Sequence, residues 1–202
     1  MAQSEVQICN MALSRIAISI PIASLTESSN AARACSLWFG QCRDTILQSF
    51  PWKFARKFVA LQDIGTPAPG WSYRYRYPND CLRALKVTDA ETDRIIAPIA
   101  KNEFEVLADE TNAGRSIVCD LQPAYLHYTA RIVEPTMFDP AFTNALAWLL
   151  SSEVATFLSA DAKYAQAAYQ SYIGSVNDAF ANSLNEGYEG REVYSDLISG
   201  RF

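Results

Sequence analysis

Residues 71–77 alternate strictly between aromatic and polar side chains, and this pattern limits the fold more than any other part of the chain. A strand of this sequence places four aromatic rings on one face and Ser72, Arg74 and Arg76 on the other. The segments on either side have the period of amphipathic helices instead. The chain is therefore expected to combine helices with a β section.

Two helices are predicted before the β section. The first extends over about residues 4–18, with Ser4 as its N-cap. The second extends over about residues 31–48 and ends before Pro51, because the residue before a proline avoids the helical region. The apolar cluster at residues 50–55 follows this helix and is interpreted as a plug at one end of the helical core.

Two further helices are predicted after the β section. Asp139 is the N-cap of the first, because Pro140 is tolerated in the first turn of a helix. The second follows Asp161. Apolar residues at helical spacing on all four helices are the predicted core, and these are Leu13, Ile16, Trp38, Cys42, Leu146, Leu150, Phe157, Tyr172 and Val176.

The β section is predicted to contain several short strands. A turn at residues 78–80 connects the strand at 71–77 to a return strand at 81–87. Further strands are expected near residues 94–97, 104–107, 116–119 and 124–133.

The expected fold class is α+β and mainly α: a four-helix bundle with a small antiparallel β module inserted between helices 2 and 3, and an extended C-terminal tail. Residues 1–60 would carry helices 1 and 2, and residues 61–135 the inserted module. Residues 136–185 would carry helices 3 and 4, and residues 186–202 the tail.

Composition narrows the choice of partners. The chain has 202 residues and a net charge of −5, so attraction of the whole molecule to nucleic acid or anionic lipid is not expected. The charge is uneven, however: residues 1–60 carry +3 and residues 134–190 carry −6. No apolar run is long enough to span a membrane, and five widely spaced cysteines are typical of reduced thiols in the cytosol.

Few residues point to chemistry. His127 is the single histidine, and no known catalytic or phosphate-binding motif occurs, so no catalytic, cofactor-binding or metal-binding residue is predicted and the protein is not expected to be an enzyme. Two alternatives stay open. One is a nucleic-acid-binding module that uses the aromatic and basic residues of strand 71–77. The other is a small enzyme or ligand-binding domain that uses His127 and Tyr128.

Eight short segments, in this order along the chain, resemble head-to-tail adaptor proteins of tailed bacteriophages, the tubular tail protein A type of short-tailed phages. They are ICNMALSRI at 8–16, AARAC at 31–35, CRD at 42–44, FPWKFA at 50–55, YRYRYP at 73–78, DCLR at 80–83, FDPAF at 138–142 and SDLI at 195–198.

The resemblance implies a structural protein of the virion, located at the head–tail interface and assembled in the host cytoplasm. It implies a ring, usually of twelve copies, that binds the portal protein ring, neighbouring adaptor copies and a downstream tail nozzle or tail-tube protein. Double-stranded DNA would pass through the ring, and no cofactor, membrane or enzymatic residue is implied. The portal-docking residues would lie in the C-terminal tail and are Tyr188, Tyr194, Leu197, Ile198, Arg201 and Phe202.

Overall fold

The computed structural model describes residues 4–89, 103–109, 114–158 and 162–186. Its helices and strands alternate in blocks along the chain. The helices are α1 (Glu5–Arg15), α2 (Asn30–Ser49), α3 (Pro140–Phe157) and α4 (Ala162–Glu186). The strands are β1 (Arg56–Ala60), β2 (Tyr73–Arg76), β3 (Cys81–Thr88), β4 (Phe104–Asp109), β5 (Gly114–Cys119) and β6 (Tyr125–Ala130).

Local capping groups define where the helices begin. Ser4 and Gln7 form a capping box at the start of α1, in which each side chain accepts a hydrogen bond from the other residue's backbone N–H. Ser29 caps α2, and Asp139 caps α3 by accepting a hydrogen bond from the N–H of Ala141 at 2.7 Å. The predictions of Ser4 and Asp139 as N-caps are confirmed.

The helices are organised around α3. Most residues of α3 are buried, and it packs against α1, α2 and α4, whereas α1 and α2 have little contact with each other. Arg15 of α1 donates hydrogen bonds to the backbone and side-chain oxygens of Asn144 and lies 3.9 Å above the Trp148 ring. Burial at this contact lowers the pKa of Arg15. The helices are therefore arranged around one central apolar helix rather than as two sequential pairs.

The predicted fold class, a four-helix bundle with one small β module between helices 2 and 3, is wrong. The described strands form two separate three-stranded antiparallel sheets, which we call sheet I (β1–β6–β3) and sheet II (β2–β5–β4). Described strands that follow one another in the sequence belong to different sheets at four of the five connections, so the two sheets are interleaved along the chain.

The turn at residues 78–80 is present, but the strands on either side of it do not form a hairpin. The Cys81 N–H donates to the Pro78 carbonyl oxygen at 3.0 Å, yet β2 pairs with β5 and β3 pairs with β6. Asp80 instead joins the turn to sheet I through Lys57 and Tyr128. The chain crosses from sheet II to sheet I at this turn, and the prediction of a return strand paired with strand 71–77 is wrong.

One continuous apolar core joins the helices to both sheets. It includes Tyr75 and Ile117 from sheet II and Val87 and Leu126 from sheet I, together with residues of all four helices. Among the predicted core residues, five are buried: Leu13, Ile16, Cys42, Leu146 and Leu150. Three others are partly buried and pack against this core: Trp38, Tyr172 and Val176.

Phe157 does not belong to this core, because its side chain is 48% exposed. It is the last residue of α3, at the point where the packed face of that helix ends. The boundary expected at residue 60 also differs from the structure, since β1 begins at Arg56 and pairs with β6. The strand expected at 94–97 lies outside the described residues, as does the C-terminal tail beyond Glu186.

Candidate interaction surfaces

The aromatic face of strand 71–77 is part of the core. Tyr75 is 2% exposed and Tyr77 is 8% exposed. The Tyr75 hydroxyl donates to the Leu121 carbonyl oxygen at 2.6 Å, and burial raises the pKa of Tyr75 to about 12. On the opposite face, Arg74 donates to the Ser116 hydroxyl, while Arg76 is exposed. The rings of Tyr75 and Tyr77 are therefore not accessible for stacking on bases.

An open cavity of about 270 Å³ lies beside His127 and Tyr128, the two residues of the second alternative. Its described lining contains no carboxylate, and it consists of Pro51, Arg56, Lys57, Leu85, Lys86, His127 and Tyr128. Arg56 and Lys57 of β1 and Lys86 of β3 give this lining a positive charge. The cavity is therefore suited to an anionic group rather than to a histidine–carboxylate pair.

Asp80 stabilises the margin of this cavity. Its carboxylate accepts a hydrogen bond from Lys57 Nζ at 2.7 Å and one from the Tyr128 hydroxyl at 3.0 Å. Burial alone would raise the pKa of Asp80, but the hydrogen bonds from Lys57 and Tyr128 outweigh it and the pKa is lowered. Burial raises the pKa of Tyr128, and the hydrogen bond to the Asp80 carboxylate raises it further.

We expect Asp80→Asn to lower the free energy of unfolding at pH 7 by about 1 kcal/mol, since the ion pair is partly exposed and screened by solvent. A carboxyl group whose pKa is lowered on folding stabilises the fold at pH values above its ordinary pKa of 3.8. This contribution is lost as the pH falls through the pKa of the folded state. The difference between wild type and variant should therefore shrink below about pH 4.

Urea unfolding at pH 7 and under acidic conditions measures this difference. Asp178→Asn, an exposed position on α4, is the matched control and should leave stability unchanged at both pH values. A difference for Asp80→Asn that is the same at neutral and acidic pH would contradict the assignment of the lowered pKa to Asp80.

Sheet I is basic although the protein is acidic. Its three strands carry Arg56, Lys57, Arg83 and Lys86 and contain no Asp or Glu. β1 and its exposed Phe58 were not predicted, because residues 56–60 do not alternate between polar and apolar side chains. All five residues are exposed in the structure. The only sequence signal for this surface was the excess of basic residues before residue 60.

A second, apolar surface lies along α4. Tyr169, Ile173 and Phe180 follow one another at spacings of four and seven residues, so they share one side of the helix, and they are 47%, 38% and 48% exposed. We call these three residues the α4 stripe. Among its 25 residues α4 has only three charged ones, Lys163, Asp178 and Glu186. Large exposed apolar side chains on a weakly charged helix are typical of a protein–protein contact.

The five cysteines lie in the interior. All of them are free and buried. Cys9 of α1 and Cys35 of α2 interact by a side-chain hydrogen bond, which is the main cause of the raised pKa of Cys9, and burial adds to it. The same hydrogen bond lowers the pKa of Cys35.

The predicted portal-docking residues, Tyr188, Tyr194, Leu197, Ile198, Arg201 and Phe202, lie outside the described residues. Within the described residues, no group of three or more His, Cys, Asp or Glu side chains is arranged to hold a metal ion. No described helix is both long enough and apolar enough to span a bilayer.

No protein-family model matches the sequence, and a search of curated proteins finds no match either.

Proposed function

We propose that the protein is a structural adaptor between the head and the tail of a tailed bacteriophage. It forms a homo-oligomeric ring, usually of twelve copies, under the portal protein ring. The ring extends the DNA channel and provides the attachment platform for a tail nozzle or tail-tube protein. In this proposal it resides in the virion, acts without a cofactor and is not an enzyme.

One structural observation supports this proposal in addition to the sequence resemblance: the chain exposes two surfaces of different chemistry. Sheet I is basic, whereas the α4 stripe is apolar and belongs to a helix with a single cation, Lys163. Subunits of a ring meet head to tail, so the two surfaces in contact are different parts of the same chain. Two unlike surfaces on one subunit are compatible with such a contact.

The α4 stripe exposes apolar side chains that contact with another protein surface would bury. Phe180 packs edge-on against Phe50 at 5.5 Å, so one end of the stripe adjoins the aromatic cluster that follows α2. Its remaining surface, including Ile173, faces solvent in the single chain. In the proposed ring this surface is covered by a neighbouring copy, because burying exposed apolar area is the main favourable term in association.

The test is to mix the purified protein with the portal ring encoded in the same genome and to image the product by electron microscopy. We expect a single layer of adaptor density beneath the portal. Ile173→Glu should reduce the fraction of occupied portals at least about tenfold, since a charge buried in an apolar contact is strongly unfavourable.

Ala167→Glu introduces the same charge at an exposed position on a different side of α4 from the stripe, and it should assemble like the wild type. Circular dichroism establishes that both variants are folded. Portals that stay bare with the wild-type protein would overturn the proposed function. Equal occupancy with Ile173→Glu and wild type would instead exclude the α4 stripe as the ring contact.

A further inference from the structure

The register of sheet I places aromatic and basic side chains on the same face. Cross-strand partners point to the same side of a sheet, so Phe58, His127 and Lys86 form one row across β1, β6 and β3. Arg56 and Arg83 flank Thr129 in the next row. We call this side of the sheet the outer face of sheet I.

An aromatic stack occupies the edge of the outer face. The Phe58 ring lies nearly parallel to the Tyr125 ring, with 5.4 Å between centroids and 8° between planes. Its centroid is 4.6 Å from that of His127. Phe58 nonetheless stays 39% exposed, because β1 is the edge strand of the sheet. The stack holds Phe58 in place and leaves part of the ring accessible to a planar group.

Cations surround this stack. Arg56 and Lys86 line the 270 Å³ cavity together with His127. Arg56 is oriented by a hydrogen bond from its Nε to the Pro51 carbonyl oxygen, and Arg83 by one to the Gln48 carbonyl oxygen, both just at the end of α2. Asp80 offsets the charge of Lys57. The cavity thus offers a positively charged recess beside an exposed ring.

We propose that the outer face of sheet I binds single-stranded nucleic acid, with a base against the Phe58 ring and a phosphate group in the cavity between Arg56 and Lys86. Proteins that bind single strands combine aromatic rings with cations along the backbone of the strand. A duplex offers no unstacked base to an exposed ring, which is why a single strand is the ligand that this arrangement fits. The inference concerns the unassembled chain, because a ring contact through sheet I would cover this face.

Strand 71–77 does not provide an equivalent site. Arg76 and Arg115 line a second cavity, of about 350 Å³. The neighbouring ring, however, is Tyr77, which is buried and covered by the Arg115 guanidinium at 4.2 Å. Phosphate could be attracted there, but no base could stack. Binding at the sheet I cavity and binding at this second cavity would therefore be weakened by different substitutions.

The test is fluorescence anisotropy of a labelled oligothymidylate with the full-length protein at several salt concentrations. We expect Lys86→Gln to weaken binding and to reduce the slope of log K against log salt by about 0.7, the contribution of one phosphate contact to a single strand. Phe58→Leu, which keeps an apolar side chain but removes the ring, should weaken binding about fivefold or more. Phe58→Trp should restore it.

Arg76→Gln is the matched control, because it removes one exposed arginine from the other cavity and should leave both affinity and salt slope unchanged. Unchanged melting temperatures establish that the variants are folded. The inference fails if Arg76→Gln weakens binding as much as Lys86→Gln, or if Phe58→Leu binds like the wild type. It also fails if a polyglutamate peptide of equal charge displaces the oligonucleotide as well as unlabelled oligothymidylate does, which would indicate a site for acidic peptides.

Discussion

Replacing Phe142 by alanine is expected to lower the free energy of unfolding by about 3–5 kcal/mol, the cost of removing a fully buried aromatic ring. Phe142 is completely buried on α3. Its ring lies 5.2 Å from that of Trp52 and from that of Phe54, and 4.9 Å from that of Phe138. These edge-on contacts add to the burial of the ring itself.

This prediction also tests the role assigned to residues 50–55. If that segment is a plug at one end of the helical core, removing the ring on which Trp52 and Phe54 pack leaves a cavity that the neighbouring rings cannot fill. Chemical denaturation followed by circular dichroism measures the effect.

Phe157→Ala is the matched control for Phe142, because it makes the same change in the same helix at a position that is 48% exposed. We expect it to cost less than about 1 kcal/mol. Similar losses for the two variants would show that the aromatic cluster around Phe142 does not hold α3 to the segment after α2.

The second large effect concerns Tyr75, in the middle of β2. Tyr75→Ala should destabilise the fold by about 3 kcal/mol, because a ring that is 2% exposed leaves the shared core. Tyr75→Phe keeps the ring and removes only the hydrogen bond to the Leu121 carbonyl oxygen, so it should cost about 1 kcal/mol. Thermal unfolding measures both values.

The neighbouring Arg76→Gln should leave stability nearly unchanged, since Arg76 is exposed on the other face of the same strand. This contrast separates a structural role for the aromatic face of residues 71–77 from a binding role. If Tyr75→Ala were as stable as the wild type, the ring would be dispensable for folding and the binding alternative at this strand would gain support.

The helices could be predicted from the sequence because their signals are local. Ser4 and Asp139 cap helices through atoms two or three residues away, and Pro51 ends α2 by steric exclusion of the preceding residue. The alternation at residues 71–77 predicted β2 for the same reason. Phe157 was assigned to the core wrongly, because helical spacing identifies a stripe but not the point at which packing against that stripe ends.

The sheets could not be predicted in the same way, because strand pairing is not local. The turn at residues 78–80 predicts a hairpin of the two strands that flank it. The structure shows instead that β2 pairs with β5 and β3 pairs with β6. The sequence of β1 does not alternate between polar and apolar residues, so it gave no strand signal. In the structure every residue from Arg56 to Ala60 is exposed at a sheet edge.

The candidate surface on sheet I was missed for that reason. His127 was identified as the single histidine, but neither of its cross-strand neighbours, Phe58 and Lys86, is close to it in sequence. Their meeting depends on two pairings, β1 with β6 and β3 with β6. The strand at residues 71–77 places its rings and its arginines on opposite faces, whereas sheet I places Phe58, His127 and Lys86 on one face.

The interleaving of the two sheets has a consequence for synthesis on the ribosome. Arg56 pairs with Thr129, so β1 leaves the ribosome 73 residues before its partner strand. At the usual 5–20 residues per second, this interval lasts about 4–15 s. During that time Phe58 and Val59 lie on a nascent strand with neither edge satisfied, so chaperone binding or misassembly between chains should concentrate at this strand.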